Sequence, residues 1–262
     1  MDSIAFILAG FAVGIIVGLT GVGGGSLMTP ILIFGFGIKP YLAVGTDLLF
    51  AAVTKAGGSI SLARRRLVDW RIVAQLAAGS VPAALLTLWL LHRHGAADPA
   101  VQRLMTSVLG VALLLTAAAT LYKALAGKAA PPPVASRDPS ATRARHWALP
   151  VAFGALIGAL VTLTSVGAGA IGVVVLMLLY PRLPLPRIVG ADIAHAVPLT
   201  LVAGLGHASL GSVDWPLLGL LLTGSLPGIW LGSRLMTKTP ERLTRGLLAA
   251  LLGYAGLKLV SI

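Results

Sequence analysis

The sequence contains no cysteine, which excludes disulfides and thiolate metal sites and leaves the redox compartment unread. Charge is scarce as well. Asp, Glu, Lys and Arg make up 11% of the 262 residues against 57% hydrophobic, and the mean hydropathy is +0.94. A soluble domain of this length needs a far more charged surface. Alternation of polar and apolar residues is missing too. The apolar runs are continuous, which excludes a β-barrel and leaves an all-α polytopic membrane protein embedded in a lipid bilayer. No Walker A loop, metal-ligand cluster, nucleophile elbow or convergent acid–base–nucleophile set is present, so neither an enzyme nor a cofactor is expected. The opening MDSIAFILAGFAVGIIVGL lacks a basic n-region and an A-x-A site, and is read as a first mature segment rather than a signal peptide.

What is present repeats. LTGVGGG returns as LTSVGAG, VGTD (Val44 to Asp47) as VGAD (Val189 to Asp192), VDW (Val68 to Trp70) as VDW (Val213 to Trp215), and GSVP (Gly79 to Pro82) as GSLP (Gly224 to Pro227). Three of the pairs share an offset of 145 and the glycine pair has 144. Four motifs in one order at one spacing mark an internal duplication. Each copy holds five apolar segments, expected at 4–19, 25–37, 41–63, 71–91 and 101–122, then 148–163, 169–180, 188–209, 216–235 and 245–261. The organisation expected is a first transmembrane repeat over 1–122, a proline-rich basic loop over 123–147, and a second repeat over 148–262.

The net charge of +12 is read as a topology signal, with no nucleic-acid partner. If RRRLVDWR (Arg64 to Arg71) is cytoplasmic, alternation puts 64–71, 123–147, 181–187 and 234–245 on the same side, with fifteen of the 20 Lys and Arg. The positive-inside rule then puts both termini outside the cytoplasmic membrane. An odd number of segments per copy makes the repeats inverted.

The stretch GLTGVGGGSLMTP (Gly18 to Pro30) breaks the apolar pattern between two segments too short to span. Irregular backbone at that depth must be buried in protein or line a wet cavity. Glycine lets a ligand approach the main chain, and a helix starting after Gly25 presents N–H groups with partial positive charge. Gly23, Gly24, Gly25 and Ser26 therefore form a candidate anion cradle, with Gly167 and Gly169 as the counterpart. The competing explanation is close helix packing, as in G-x-x-x-G patterns. GAGAIG (Gly167 to Gly172) fits a dinucleotide fingerprint, but no strand precedes it and its repeat partner breaks the pattern.

Ionisable residues inside membrane segments point to function. Lys55 is the deepest cation and the candidate anion ligand, supported by Thr46 and Thr54. Asp47, Asp192 and His195 are the proton-coupling candidates, with Asp192 and His195 as i, i+3 neighbours. For the aspartates, helix capping near a segment start explains the residue equally well. His207 is read as interfacial, and Asp69 and Asp214 as helix caps beside interfacial tryptophans.

These residues carry a resemblance. GLTGVGGGSLMTPIL, VGTDLL, RRRLVDWR followed by GSVPAALL, and the degenerate second copy resemble the TauE/SafE sulfite exporter family of membrane permeases, over essentially the whole chain. The resemblance implies a secondary carrier of sulfite, sulfoacetate or other organosulfonates, a small anion as its partner, and a bacterial inner-membrane location. A passive anion channel and a membrane assembly or chaperone protein are the alternatives. A homo-oligomer is compatible with the sequence, which does not choose the anion, the coupling ion or the direction of flux. Nor does it say whether the glycine loops are re-entrant.

Overall fold

The computed structural model describes residues 2–20, 25–125, 148–235 and 241–261. Among these, the chain forms ten helices: α1 (Asp2–Thr20), α2 (Gly25–Phe36), α3 (Pro40–Arg64), α4 (Trp70–His94), α5 (Pro99–Leu125), α6 (Ala148–Thr164), α7 (Ala170–Leu179), α8 (Leu185–Ser209), α9 (Trp215–Leu235) and α10 (Glu241–Val260). They are the ten segments expected, with ends shifted by a few residues. Four of them, 70–94, 99–122, 185–209 and 215–235, are long and apolar enough to cross a membrane. Leu85, Leu86, Val111, Leu115, Leu201, Leu205, Leu226 and Leu251 lie exposed along them and along α10. Such a continuous apolar exterior suits lipid rather than water. The protein is an all-α, multi-pass membrane protein.

Local chemistry sets the helix ends. Pro40 and Leu185–Pro186 open α3 and α8, where a proline in the first turn sacrifices no helical hydrogen bond. Arg64 closes α3 and favours the negative end of the helix dipole. The Asp69 carboxylate accepts from the Arg71 and Ile72 amides at 3.2 and 3.4 Å, and the Asp214 carboxylate from Leu217 at 3.0 Å. Both VDW aspartates are thus caps, and Trp70 and Trp215 are exposed at the first turns of α4 and α9. Asp69 also meets Arg187 at 3.7 Å, joining the α3–α4 and α7–α8 connections at one basic end of the molecule. Asp69→Ala is expected to cost about 1–2 kcal/mol, as a cap does, and Asp69→Asn about 1 kcal/mol or less, since the half-exposed ion pair alone is lost. Thermal unfolding in detergent checks both, and equal losses would show that the ion pair dominates.

The helices pair across the duplication: α1 with α9, α4 with α6, α3 with α8, and α5 with α10. Close contacts give their directions. On α1, Gly10, Gly14 and Gly18 meet Leu221, Ser225 and Ile229 in ascending order, so α1 and α9 are parallel. Gly79 against Val151, and Gly154 and Gly158 against Leu76 and Ser80, make α4 and α6 parallel. By contrast Gly45 meets Ser212 while Gly190 meets Leu67, so the equivalent helices α3 and α8 cross antiparallel. Gly110 against Gly256 and Gly253 against Ala117 show the same for α5 and α10. Counterparts that run in opposite directions are what inverted repeats require. The two end contacts of the α3–α8 pair are themselves counterparts, each residue displaced by the same 145 positions.

The α1–α2 pair folds back on itself. Phe6 near the start of α1 packs at a tilt against Phe36 at the end of α2, ring centroids 4.6 Å apart. The twelve-residue α2 and ten-residue α7 measure about 18 and 15 Å, short of a hydrocarbon core of about 30 Å. Each broken segment is therefore a short arm, and the α6–α7 bend at Ser165, Val166 and Ala168 is buried inside the protein. The α1–α2 tip itself, residues 21–24, lies outside the described residues, as does most of the 123–147 loop.

Candidate functional site

Both hairpins converge on α3. The first half of α2 is enclosed: Ser26, Leu27, Met28, Thr29 and Leu32 are all buried. Leu27, Met28 and Leu32 share a packed cluster with Val166 from the α6–α7 bend. Thr29 donates its hydroxyl to the Asp47 carboxylate, and the Ser165 side chain hydrogen-bonds the same carboxylate. Neither Asp47 nor Asp192 caps a helix. Each stands two turns inside its helix, and both are buried. The capping explanation is overturned for both. Asp192 instead lies against α7, where its carboxylate occupies the space that a β-carbon on Gly172 would need. The two aspartates thus bind each long helix to the broken helix of its own repeat.

Lys55 stands close to midway between Gly45 and Leu67, the two points where α3 is clamped to α8, and so at the crossing of the two repeats. It is 7% exposed. Its charge interacts with Asp192 and Asp47. Because α2 runs antiparallel to α3 after a three-residue connection, Gly25 lies about 6 Å beyond Thr29 in the direction of Lys55. The Asp47-to-Lys55 separation along α3 is about 12 Å. The first turn of α2, with Gly25 and the buried Ser26, therefore opens between the two depths.

Other candidates are engaged elsewhere. The Thr46 hydroxyl accepts the Asp214 amide at 3.0 Å and pins the α8–α9 connection. Thr54 donates back to Phe50 at 2.9 Å within its own helix. Gly167 (φ 130) and Gly169 (φ 125) adopt backbone conformations that side chains avoid, and they shape the bend before α7. Gly23 and Gly24 lie outside the described residues. His195 meets Ser80 of α4 at 2.8 Å and is 2% exposed, within range of the Lys55 charge.

His207 corrects its expected place. It is fully buried, with Nε2 2.9 Å from the Thr162 carbonyl, so it fastens α8 to α6 instead of sitting at an interface. Sequence reasoning missed Thr29, Ser80 and Ser165. Ser80 stood inside the repeated GSVP motif, which marked it. Thr29 gave no signal, since its repeat counterpart is Val173. The site as a whole is a buried ammonium, two buried carboxylates and a helix N-terminus, held between two repeats of opposite direction.

Comparison with known proteins agrees over almost the full length. The family model described as Sulfite exporter TauE/SafE matches residues 6–259. Probable membrane transporter protein YjnA of Bacillus subtilis (strain 168) is 37% identical over 258 residues, covering 98% of this chain and 100% of that protein. Probable membrane transporter protein YdhB of the same organism is 28% identical over 262 residues, covering 97% and 98%. A probable membrane transporter protein of Xylella fastidiosa (strain 9a5c) is 27% identical over 232 residues, covering 88% and 83%. No solved structure matches the chain. On this evidence the chain belongs to the Sulfite exporter TauE/SafE family.

Proposed function

We propose that this membrane transporter is a secondary carrier of small sulfur-containing anions, sulfite or organosulfonates, across the bacterial cytoplasmic membrane. The observation that carries the proposal is Lys55: a buried ammonium at the crossing of the repeats, within range of the charges of Asp192 and Asp47. A charge at that depth is costly unless a partner completes it. An oxyanion with three acceptor oxygens suits an ammonium with three donors, and the N-terminus of α2 adds partial positive charge on one side. Gly25 and Ser26 at the start of α2 form the main-chain side of this site, and Asp47, Asp192 and His195 are the groups for proton coupling. Alternating access follows from rocking of the inverted repeats about the α3–α8 crossing. The basic end carrying Arg64, Arg65, Arg66, Arg71, Arg182 and Arg187 faces the cytoplasm, with both termini outside.

The test is flux into liposomes containing purified protein, for sulfite, sulfoacetate, taurine and thiosulfate, with and without a pH gradient. Saturable uptake that responds to the gradient is expected for at least one sulfur anion. Non-saturating, gradient-blind flux would instead describe a passive channel. No flux of any anion would put a non-transport role first.

A further inference from the structure

The two connections that meet at the basic end carry charge that the interior site does not use. Residues 64–71 and 180–187 hold Arg64, Arg65, Arg66, Arg71, Arg182 and Arg187 against a single acid, Asp69. That acid is already engaged. It is 8% exposed, with one oxygen capping α4 and the other 3.7 Å from Arg187. Arg64, Arg65, Arg66, Arg71 and Arg182 are exposed. What lies beneath holds them together: Leu62, Ala63, Val68, Ile72, Leu183 and Ile188 share one apolar cluster. The Leu67 carbonyl, moreover, stands where a β-carbon on Gly190 would be. The arginines of both connections are therefore mounted on one packed base.

Their surroundings favour a lipid headgroup over a free anion. Ile60 and Leu178 each stand four residues before an arginine, Arg64 and Arg182, while Trp70 adjoins Arg71 and Leu185 lies two residues before Arg187. All four apolar side chains are exposed. Guanidinium beside open apolar surface, at the ends of membrane helices, matches a molecule that joins a phosphate to acyl chains. A free anion would leave the apolar half unused.

Arg66 supplies an independent observation. At the end of α3 the Leu67 amide donates to the Leu62 carbonyl at 3.0 Å and the Arg66 amide to Ala63 at 2.9 Å, which leaves Arg66 at φ 56. The same two bonds close α8, from Ser212 to His207 at 2.9 Å and from Gly211 to Ala208 at 3.0 Å. There, 145 positions on, the residue in the left-handed conformation is Gly211, at φ 68. Glycine is what this conformation favours. The topology signal does not need an arginine at 66, since the same side already holds fifteen of the 20 Lys and Arg. The charge is kept against the backbone's preference. In contrast, the equivalent connection of the second repeat, SLGSVDWP, has no basic residue.

We infer that the arginine cluster at the α3–α4 and α7–α8 connections binds the headgroup of an anionic phospholipid, with Ile60, Trp70 and Leu178 against its acyl chains. The inference rests on this surface alone and holds whichever anion Lys55 serves.

The test is titration of purified full-length protein in detergent with dioleoylphosphatidylglycerol, retained lipid being counted by native mass spectrometry. Dioleoylphosphatidylcholine, with the same chains, is the neutral comparison. Wild type is expected to hold phosphatidylglycerol saturably and at least about tenfold more tightly than phosphatidylcholine, since each arginine near a phosphate contributes about fivefold. Arg66→Gly removes a charge and relieves the backbone. It should unfold no earlier than wild type on heating, yet bind phosphatidylglycerol roughly fivefold more weakly. Arg64→Gln, Arg65→Gln and Arg66→Gln combined should bring phosphatidylglycerol down to the level of phosphatidylcholine. Arg103→Gln takes an exposed charge from the opposite end and should bind as wild type does. Equal retention of both lipids by the wild type would overturn the inference, as would wild-type selectivity in Arg66→Gly and the triple variant. A loss in Arg103→Gln as large as in Arg66→Gly would reduce the effect to net charge and overturn it too. Displacement of the lipid by equimolar inorganic phosphate would do the same, because the arginines would then hold a free anion. No flux is measured, so each failure leaves the transport proposal to its own assay.

Discussion

Replacing Lys55 with alanine is expected to remove saturable anion flux, lowering it by roughly a hundredfold or more. Taking one partner from a buried charged set costs about 3–5 kcal/mol, and 1.4 kcal/mol is tenfold. Lys55 is the cation at the crossing of α3 and α8, and under the proposed function its removal withdraws the anion's charged ligand while leaving the buried Asp47 and Asp192 in place. Lys55→Arg keeps the charge but spreads it over a larger planar group. It should fold and transport with weakened apparent affinity. The comparison matters because alanine also withdraws the charge that offsets two buried carboxylates, so loss of flux must be read only on protein that stays monodisperse in detergent. If folded Lys55→Ala carries sulfite or sulfoacetate at the wild-type rate, the anion site lies elsewhere in the fold.

Much of this was legible in the sequence because each repeated motif turns out to mark a physical constraint. VDW supplies the caps Asp69 and Asp214. VGTD and VGAD bring Gly45 and Gly190 to the two ends of the α3–α8 clamp. GSVP and GSLP bring Gly79 and Gly224 against the main chain of α6 and α1. The offset of 145 therefore recorded contacts as well as ancestry. The sequence also isolated Lys55, since a lysine inside an apolar segment has few bland explanations. What it hid were pairings between distant segments. Nothing in the order of residues says that α1 packs on α9 and α4 on α6, so the partner of each small-residue stripe could not be named. The roles of Thr46 and Thr54 were equally invisible: their hydroxyls answer Asp214 and Phe50, a matter of helix rotation and loop position. Thr29 became important only when the α1–α2 hairpin carried it to Asp47. The two explanations offered for the glycines divide by position. Gly10, Gly14, Gly79, Gly154 and Gly224 in the helices serve packing, whereas Gly167 and Gly169 permit the bend.

The packing role makes a second large effect expected, this time on folding. Along α1, Gly10, Gly14 and Gly18 recur every fourth residue, and along α9 so do Gly224, Gly228 and Gly232. The stripes face each other in parallel helices, the small-residue arrangement that lets backbones touch where lipid supplies no hydrophobic drive. A β-carbon on Gly14 would strike the Ser225 carbonyl oxygen and come within 2.9 Å of the Ser225 Cα and 3.1 Å of the Ile229 nitrogen. All three are main-chain atoms, so no rotamer change relieves the clash and the helices must separate. Gly14→Val should therefore cost at least about 3 kcal/mol, the upper range for an overpacked interior, and yield little monodisperse protein. Gly219, also in α9, is exposed and has nothing within 4 Å of the added carbon. Gly219→Ala should be neutral or stabilise by about 0.4–1 kcal/mol, because it only restricts the unfolded chain. Size-exclusion profiles and thermal unfolding of the two variants decide the matter. Comparable tolerance at both positions would mean that α1 and α9 do not meet along these glycines, and the inverted pairing of the repeats would lose its most extensive contact.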